Sequence, residues 1–280
     1  MDTDGRQAEA CTAAAALIVT FLVGAACRAR SSKRPRPLPF QHDEVSGFDH
    51  LDGHAPRRGL RLVVVSDTHN FHHKLKLPDG DVLIHAGDFT QYGKEEHAHD
   101  FNQWLAEQPH RTKLVVLGNH ENNSDWHKRA ADVRGPQQAS KPCLWEPKPG
   151  LRLSNATLLR QSAFDLQVPG SSPVRFFGTD FFWPCLGSNP YFDQIPAGTD
   201  VVIAHGPAKG CADGGRGCPA LLKAVQNLQP ELVISGHVHF ARGAALLSGK
   251  SRSTVLVNAA NCGSGKAERV LVSGPVVIDI

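Results

Sequence analysis

Five short apolar segments of this 280-residue chain each end in side chains that bind metal ions or transfer protons. The five motifs are, in chain order, Ser66-Asp67-Thr68-His69, Gly87-Asp88, Gly118-Asn119-His120-Glu121, His205-Gly206-Pro207 and Gly236-His237-Val238-His239. Histidine, the commonest metal ligand and proton-transfer group, is unusually frequent here, with 15 residues. Because ligands of open α/β sheets bind outside the carboxyl ends of the strands, we expect these motifs to converge on one site.

The converging side chains form a mixed set of nitrogen and oxygen ligands without a thiolate. Its seven members are Asp67, His69, Asp88, Asn119, His205, His237 and His239. Seven ligands are too many for one tetrahedral ion, but they suit two adjacent ions that share a carboxylate. We therefore expect two divalent metal cofactors, with Mn²⁺ as the first choice and Fe²⁺, Zn²⁺ or Mg²⁺ as alternatives.

Such a pair of ions predicts phosphoryl chemistry. Two ions roughly 3.5–4 Å apart can bind a bridging hydroxide and clamp the oxygens of a phosphoryl group during in-line attack. His120 directly follows Asn119, so it is a candidate acid for the leaving oxygen, or a group that only positions the phosphate. Glu121 either orients a ligand or holds its own loop. Arg216, in the loop after the fourth motif, either reaches a substrate phosphate or stays in solvent.

Strands must position these motifs, and the apolar segments have strand character. Several are continuous β-branched runs, which are typical of strands buried on both faces. We expect strands at Arg61–Ser66, Val82–His85, Lys113–Leu117, Val174–Phe177, Val201–Ala204, Leu232–Ser235, Thr254–Val257 and Val276–Ile280. Helical spacing of apolar residues predicts helices at Lys94–Gln108 and Pro219–Leu228. Residues 59–280 are therefore expected to form one α/β domain.

Several polar residues outside the motifs have simpler interpretations. His85 lies within an apolar strand and is expected to be a core residue. Asn258 and Asn261 follow a late strand and are secondary candidates for lining the pocket. Charged, turn-rich sequence surrounds four further histidines, which are expected on solvated faces: His72, His73, His97 and His99.

The five motifs, in this order and at this spacing, resemble those of the calcineurin-like metallophosphoesterase superfamily. The stretches SDTH, HAGDFT, GNHE, HGP and GHVH, with the segment Gln194–Asp200, resemble its metallophosphoesterase-domain-containing (MPPED) branch. The resemblance covers about residues 59–280. It implies a four-layer α/β/β/α sandwich of two mixed β-sheets.

The resemblance also implies a role for each ligand. It assigns the first ion to Asp67, His69 and His239, and the second ion to Asn119, His205 and His237. Asp88 would bridge both ions as part of the catalytic machinery, and His120 would be a catalytic acid that contacts the substrate beside Asn119. Some members of the branch have lost the first histidine of the last motif and are nearly inactive. This chain keeps it as His237, which implies a complete second metal site.

The resemblance implies a low-turnover phosphodiesterase that hydrolyses small cyclic nucleotide phosphodiesters by attack of a metal-bridging hydroxide. Two alternatives are a metal- and mononucleotide-binding scaffold or sensor with negligible turnover, and a protein phosphatase of the same superfamily. The balance of 30 Lys+Arg against 27 Asp+Glu gives a net charge of only +3, which argues against binding of a nucleic-acid polymer. The expected partner is therefore a small nucleotide or phosphodiester.

The first 58 residues differ in composition from the rest. Residues 1–10 form an acidic tail, residues 11–27 an uncharged apolar segment, and residues 28–58 a basic linker rich in proline and arginine. As a helix, the apolar segment would span about 25 Å, the short limit for a membrane anchor. The basic residues after it would then place residues 59–280 in the cytosol. The alternatives are a tail that does not insert and a cleaved signal peptide, but the acidic leading region and the sequon at residues 122–124 argue against secretion.

Overall fold

The computed structural model describes residues 58–122, 153–265 and 270–280, together with the backbone of four short strands outside those ranges. The acidic tail 1–10 and the greater part of segments 11–27 and 28–58 lie outside the described residues. Of the apolar segment, only Leu17–Thr20 is described, and it forms a strand. None of the described helices is long and apolar enough to cross a membrane.

The secondary structure of the described residues consists mainly of short strands, with a few helices between them. The strands are β1 (Leu17–Thr20), β2 (His42–Val45), β3 (Arg61–Val65), β4 (Val82–His85), β5 (Thr112–Val115), β6 (His127–Lys128), β7 (Glu146–Pro147), β8 (Thr157–Leu158), β9 (Ser162–Leu166), β10 (Val174–Gly178), β11 (Val201–Ile203), β12 (Leu232–Ser235), β13 (Gly243–Leu247), β14 (Thr254–Asn258) and β15 (Val276–Asp279). The α-helices are α1 (Glu95–Glu107), α2 (Asn119–Asn122) and α3 (Pro219–Leu228), and 3₁₀ turns lie at His72–Lys74, Phe192–Gln194 and His239–Ala241.

Most of the strands belong to two mixed sheets. The first sheet has the order β1-β15-β3-β4-β5-β8, and the second has the order β2-β13-β14-β12-β11-β10-β9. In the first, β3, β4 and β5 run parallel to one another, and β15 is antiparallel to β3. In the second, β10, β11, β12 and β14 run parallel, with β9 and β13 antiparallel beside them. Strands β6 and β7 form a separate antiparallel pair.

The buried side chains define four layers. Alternate residues of both sheets, such as Leu62 and Phe176, meet in a central core between the sheets. Helix α1 packs Phe101 against the outer face of the first sheet. Helix α3 packs Leu221 and Val225 against the outer face of the second. The expected α/β/β/α sandwich is therefore confirmed.

Both predicted helices are present, and local sequence explains their ends. Helix α1 begins with Glu95 and Glu96, whose negative charges suit the positive end of the helix dipole. Helix α3 begins with Pro219, which suits the first helical position because its missing N–H would have no intrahelical partner there. It ends at Leu228, and the next residue, Gln229, caps it in a left-handed conformation with φ of 48°.

All of the predicted strands are present, and their bounds differ from the prediction by at most two residues. Three strands of the two sheets within residues 153–265 were missed, namely β8, β9 and β13. Strand β8 has only two residues, while β9 alternates between half-buried and exposed residues at the edge of its sheet. Strand β13 contains Gly243 and two alanines, which carry little strand propensity.

Candidate metal centre

The predicted ligands lie at one edge of the sandwich, where parallel strands of both sheets end. Asp67 and Asp88 follow β3 and β4 of the first sheet, while His205 and His237 follow β11 and β12 of the second. Because each of these strand pairs is adjacent and parallel, the carboxyl ends of its strands meet at one edge. The two edges are in contact, since the backbone N–H of His237 lies 3.0 Å from both carboxylate oxygens of Asp67 and donates to them.

Asp67, His69 and His239 form a first group, in which one ligand atom of each residue lies within 4.8 Å of the others. His239 Nε2 lies 3.1 Å from Asp67 Oδ1 and 3.3 Å from His69 Nε2. The Nδ1 atoms of His69 and His239 face the carbonyl oxygens of Thr90 and Gly263 at 3.3 and 2.7 Å. A histidine that donates its Nδ1–H to a carbonyl presents Nε2 as a metal ligand. Both imidazoles are therefore oriented for ligation through Nε2.

Asp88, His205 and His237 form a second group of the same kind. His205 Nε2 lies 3.2 Å from Asp88 Oδ2, and His205 Nδ1 faces the carbonyl oxygen of Ala86 at 2.7 Å. Burial and the neighbouring His205 lower the pKa of His237 to about 4. His237 is therefore neutral near pH 7, which is the form of histidine that binds metals.

Asp88 lies between the two groups. Besides its place in the second group, its carboxylate is within 4.8 Å of ligand nitrogens of His69 and His120. The structure thus brings the carboxylate that the resemblance assigns as the bridge next to a histidine of each group. The role of Asp88 as a bridge remains a prediction.

The ligands sit on strained backbone. Four of the predicted ligands are non-glycine residues with positive φ, namely Asp67 at 55°, His69 at 43°, Asp88 at 56° and His237 at 65°. Such conformations cost of order 1–3 kcal/mol each, and they persist where the surrounding structure determines them. Their concentration at these strand ends is typical of a functional site.

The centre holds two buried carboxylates, because Asp67 is 0% exposed and Asp88 is 2% exposed. Burial acts to raise the pKa of both carboxyls, but nearby imidazoles, that of His205 first, lower it. For His205 burial acts to lower the pKa, yet the charges of Asp88 and Asp67 raise it to about 9. The two carboxylates therefore stay ionised and draw a proton onto His205. Metal binding releases such a proton and supplies positive charge in its place.

Two buried ligand atoms make no hydrogen bond with the described residues, namely Asn119 Oδ1 and His205 Nε2, although His205 Nε2 lies 3.2 Å from Asp88 Oδ2 as an ion pair. Buried polar atoms are normally satisfied, so an unsatisfied pair at a site rich in ligands requires an explanation. A divalent cation would bind Asn119 Oδ1 and, after release of its proton, His205 Nε2, and it would offset the buried negative charge. The residues present therefore fit the metal pair that the ligand set predicts.

His120 lies beside Asp88 and faces the cavity. Its backbone N–H donates to Asp88 Oδ1 at 2.9 Å, and its Nδ1 contacts the carbonyl oxygen of Gln91. Its Nε2 lies 3.7 Å from Asp88 Oδ2, and 31% of its side chain is exposed. This position is compatible with both interpretations of His120, as a proton donor and as a group that positions phosphate.

Glu121 organises the loops that carry the ligands. Its fully buried carboxylate accepts hydrogen bonds from the backbone N–H groups of Asp88, Thr90 and Gly118 at 2.8–2.9 Å. It also accepts one from the Thr90 hydroxyl at 2.7 Å. Both interpretations of Glu121 therefore apply, because the contacts that hold its own loop also orient Asp88.

Asn258 and Asn261 hold loops together and are absent from the lining of the described cavity. Asn258 Nδ2 donates to the carbonyl oxygen of Val238, between two predicted ligands, at 2.9 Å. Asn261 Oδ1 accepts from the backbone N–H of Ser66, at the start of the first motif, at 2.9 Å. The alternative in which these asparagines line the pocket is not favoured, because both side chains are fully buried.

The histidines outside the motifs divide into two kinds. His85 is a core residue as expected, and its Nε2 lies 2.9 Å from the hydroxyl of Thr68 in the first motif. His73 and His99 are exposed as expected, and His97 is half-buried. His72 is fully buried, so its expected place on a solvated face is wrong. Its ring packs against aromatic residues of α1, which the charged local sequence did not indicate.

A cavity of about 530 Å³ opens over the ligands. Its walls include the aromatic side chains of Tyr92, Trp183 and Phe240, which the sequence motifs did not predict. Trp183 packs edge-on against His237 with ring centroids 4.2 Å apart. Arg216 also lines the cavity, and its guanidinium carbon lies 5.1 Å from the centroid of the Phe240 ring. A run of aromatic residues at 181–183 was the available signal for one of these walls.

Comparison with known proteins identifies the class to which this fold and site belong. The model of the calcineurin-like phosphoesterase family matches residues 60–241. The chain therefore belongs to the calcineurin-like phosphoesterases, a family that implies divalent metal cofactors.

Its relatives support the finer resemblance. The chain is 34% identical to metallophosphoesterase domain-containing protein 1 of Homo sapiens in an alignment of 263 positions that covers 86% of this chain and 78% of the human protein. It is 38% identical to a UPF0046 protein of Caenorhabditis elegans in an alignment of 220 positions that covers 74% of this chain and 71% of that protein. The resemblance to the metallophosphoesterase-domain-containing branch is confirmed.

Among solved structures, phosphopantetheinyl hydrolase from Mycobacterium tuberculosis is similar, with a TM-score of 0.49 and 13% identity over 79% of this chain and 96% of that one.

Proposed function

We propose that this phosphoesterase is a dinuclear, low-turnover phosphodiesterase that acts on small cyclic nucleotides. The observation that carries the proposal is the cluster in which Asp88 lies within ligand distance of histidines from both groups and of His120. Two divalent ions at such a cluster activate water as a nucleophile and neutralise charge on the phosphoryl oxygens. We take Mn²⁺ as the first candidate ion, because the ligands are imidazoles, carboxylates and an amide oxygen.

The ligand roles follow the two groups. Asp67, His69 and His239 would hold the first ion, and Asn119, His205 and His237 would hold the second. Asp88 would bind both. The orientation of Nε2 in His69, His205 and His239 by backbone carbonyls supports this division.

His120 would provide the proton that the leaving group needs. Attack of water on phosphorus breaks the bond to the leaving oxygen, which then requires a proton. His120 Nδ1 contacts the Gln91 carbonyl, so its Nε2 is the nitrogen that faces the ligands. In its doubly protonated form the imidazole can donate from Nε2 to the leaving oxygen and end the step neutral.

The shape of the cavity supports a small substrate with an aromatic group. A volume of about 530 Å³ lies within the range of small-molecule sites. Tyr92 and Phe240 are more than half exposed on its walls, where they can stack on a nucleobase. Arg216 lies at the same wall and would contact a phosphate or the base beside Phe240.

The test is a substrate panel on the full chain loaded with Mn²⁺, covering 2′,3′- and 3′,5′-cyclic nucleotides, an aryl phosphodiester, mononucleotides and a phosphopeptide. We expect turnover of diesters that Asp88→Ala abolishes and that chelation removes. Asp193→Ala, at an exposed aspartate on the 3₁₀ turn Phe192–Gln194, is the matched control and should leave turnover unchanged. Activity that survives Asp88→Ala or chelation contradicts the proposal.

His120→Ala separates catalysis from metal binding. Loss of a general acid typically lowers kcat by about 10²–10⁴-fold. The variant should keep the metal content of the wild type, because His120 is not among the proposed ligands. A large loss of bound metal in this variant would assign His120 to the ligands instead.

The same panel distinguishes the two alternatives. Tight mononucleotide binding with negligible turnover would identify a sensor or scaffold, and preference for the phosphopeptide would identify a protein phosphatase. Either result contradicts the cyclic nucleotide proposal while leaving the metal centre intact.

Attachment to a membrane through residues 11–27 is a separate proposal, with residues 59–280 on the cytosolic side. Its support is the run of 17 uncharged residues followed by a basic linker. A strand at Leu17–Thr20 and a membrane helix are alternative conformations of the same residues. Fractionation with and without an alkaline wash, comparing the full chain with a variant that lacks residues 11–27, decides between them. Release of the full chain by the wash contradicts anchoring.

A further inference from the structure

A second cluster of metal-binding side chains lies outside the candidate centre, where the turn His72–Lys74 meets helix α1. His72 Nε2 lies 3.0 Å from Asp100 Oδ2, and His73 Nε2 lies 3.0 Å from Asp100 Oδ1. One ligand atom from each of the three residues lies within 4.8 Å of the other two. None of these residues belongs to the proposed dinuclear centre, so the phosphodiesterase proposal does not use them.

The spacing of this cluster matches that of the candidate centre. In the candidate centre the closest imidazole nitrogen and carboxylate oxygen atoms are 3.1 and 3.2 Å apart. For an ion with bonds of about 2.0–2.2 Å, two neighbouring tetrahedral ligands are separated by about 3.3–3.6 Å. Each imidazole of the second cluster faces a different oxygen of one carboxylate at 3.0 Å. A small shift of these side chains would admit an ion between them.

The packing of His72 holds this cluster in place. Its ring is 0% exposed, and its centroid lies 5.3 Å from those of Phe101 and Trp104 on α1. Burial, followed by the neighbouring His73, lowers the pKa of His72 to about 4. The imidazole is therefore neutral near pH 7, and little side-chain entropy is lost when it binds an ion.

The opposite side of the cluster is open to solvent. The side chains of His73 and Asp100 are 48% and 46% exposed. An ion can therefore enter without a change of fold, and water can complete its coordination. Three protein ligands with one open position are a common arrangement for zinc.

We propose that His72, His73 and Asp100 form a mononuclear site for a borderline divalent cation, with Zn²⁺ as the ion that two imidazoles and one carboxylate suit best. The bound ion joins α1 to the turn that follows the first motif. It thereby restrains the segment that connects the predicted ligands Asp67 and His69 to this turn. This inference is independent of the proposed function, since it concerns metal content at a different place.

The rival interpretation is an ordinary pair of histidine–aspartate hydrogen bonds on a half-exposed surface. Metal content decides between the two. The full chain is freed of metal by chelation, dialysed against buffered micromolar free Zn²⁺, and its zinc per chain is measured by mass spectrometry. His73→Ala and Asp100→Asn each remove one ligand at a half-exposed position, so both variants should fold, which their circular dichroism spectra check.

The control variant is His99→Ala, which removes a half-exposed histidine from the same helix, with 53% of its side chain exposed. We expect His73→Ala and Asp100→Asn each to hold one zinc fewer per chain than the wild type, and His99→Ala to hold as many as the wild type. The same difference should appear in an Asp88→Ala background, in which the bridging carboxylate of the dinuclear centre is absent. Equal zinc in all of these proteins overturns the proposal, and so does an equal loss in His73→Ala and His99→Ala.

Discussion

Single side chains in the candidate centre divide into those that would touch a metal ion and those that hold the first set in place. Glu121 belongs to the second set, because its carboxylate accepts hydrogen bonds from the loops that carry Asp88 and Asn119. His85 also belongs to this second set, because its ring in the core contacts the hydroxyl of Thr68, which lies between the predicted ligands of the first motif. Ligand placement therefore depends on residues that never reach the cavity.

The first prediction concerns Glu121→Gln. Both oxygens of the Glu121 carboxylate accept hydrogen bonds from backbone N–H groups. In the variant the amide nitrogen replaces one of these oxygens, and because it is itself a donor, the buried N–H groups that face it lose their acceptor. We expect a loss of about 1–3 kcal/mol in the free energy of unfolding. We also expect metal affinity to fall by about 10–100-fold, as is usual when a group that orients ligands is changed. Denaturant unfolding and metal titration measure the two effects, and Glu107→Gln, at an exposed position in α1, should change neither. Unaltered metal affinity in Glu121→Gln would contradict the positioning role.

The second prediction concerns the response of stability to acid. Burial lowers the pKa of His85 to about 3, below its ordinary value of 6.5. The folded state therefore disfavours the protonated ring, so the contribution of His85 is fully present above pH 6.5 and is lost as the pH falls toward 3. The limiting slope for one such group is about 1.4 kcal/mol per pH unit.

His85→Gln, which does not titrate, tests this by comparison of slopes. Its free energy of unfolding should fall less steeply than that of the wild type between pH 6.5 and pH 4, whatever its stability at neutral pH. Metal-free protein is used for both, so that release of metal does not add to the slope. If the free energies of unfolding of the two proteins changed with pH in parallel, the folded state would not disfavour protonation of His85.

Among the secondary-structure elements, the loops that follow the strands pack closely against one another. In two of them the backbone at a glycine lies against a carboxylate of a neighbouring loop. Gly236 lies between β12 and His237, and a Cβ atom there would overlap Ser66 Oγ and Asp67 Oδ2. Gly118 lies after β5, and a Cβ atom there would overlap Asp88 Oδ1. These glycines let loops of the two sheets, and of neighbouring strands, approach within ligand distance.

The third prediction is that Gly236→Ala displaces Asp67 and disrupts the first metal group. We expect a stability loss of about 1–3 kcal/mol from the steric overlap. Metal content should fall, and diester turnover should fall with it. Gly187→Ala is the control, because Gly187 has open space around it and no positive φ. Full metal content in Gly236→Ala would show that the loop can relax without moving the ligand.

At the scale of the whole molecule, the centre joins the two sheets of the sandwich. Asp67, His69 and Asp88 come from the first sheet, whereas His205 and His237 come from the second. Ions held by these predicted ligands would connect elements that otherwise meet through the apolar core. Metal binding is therefore expected to stabilise the complete fold.

The fourth prediction follows from this linkage. A ligand that binds only the folded state adds about 2.7 kcal/mol at a concentration 100 times its dissociation constant. Mn²⁺ should therefore raise the Tm of the chelated wild type, and the increase should be much smaller in Asp88→Ala. Calorimetry at matched protein concentration measures both. A Tm that does not respond to Mn²⁺ in the wild type would contradict a site that joins the sheets.

Much of the fold could be predicted from the sequence, because parallel strands that are buried on both faces have continuous β-branched sequences. The runs before Ser66 and Ser235 are of this kind, and both are strands. Strand β9 was missed because its residues are only half buried, so edge pairing rather than burial defines it. His72 was misjudged for a related reason, since the aromatic residues that cover it lie on α1, some 29 and 32 positions further along the chain.

The types of the predicted ligands, their order and the strands that carry them could all be inferred from the sequence. Each motif is a short contiguous segment that directly follows a buried strand. The position of its side chains at the end of that strand therefore depends on neighbouring residues alone. Which predicted ligands share a group, and which carbonyl orients each imidazole, became clear only from the packing of the folded chain. The same holds for the positions of Trp183 and Phe240 in the cavity walls and for the contacts of Asp100 with His72 and His73. These relations depend on how two sheets and a helix pack against each other, and contacts between distant segments leave no pattern in a single sequence.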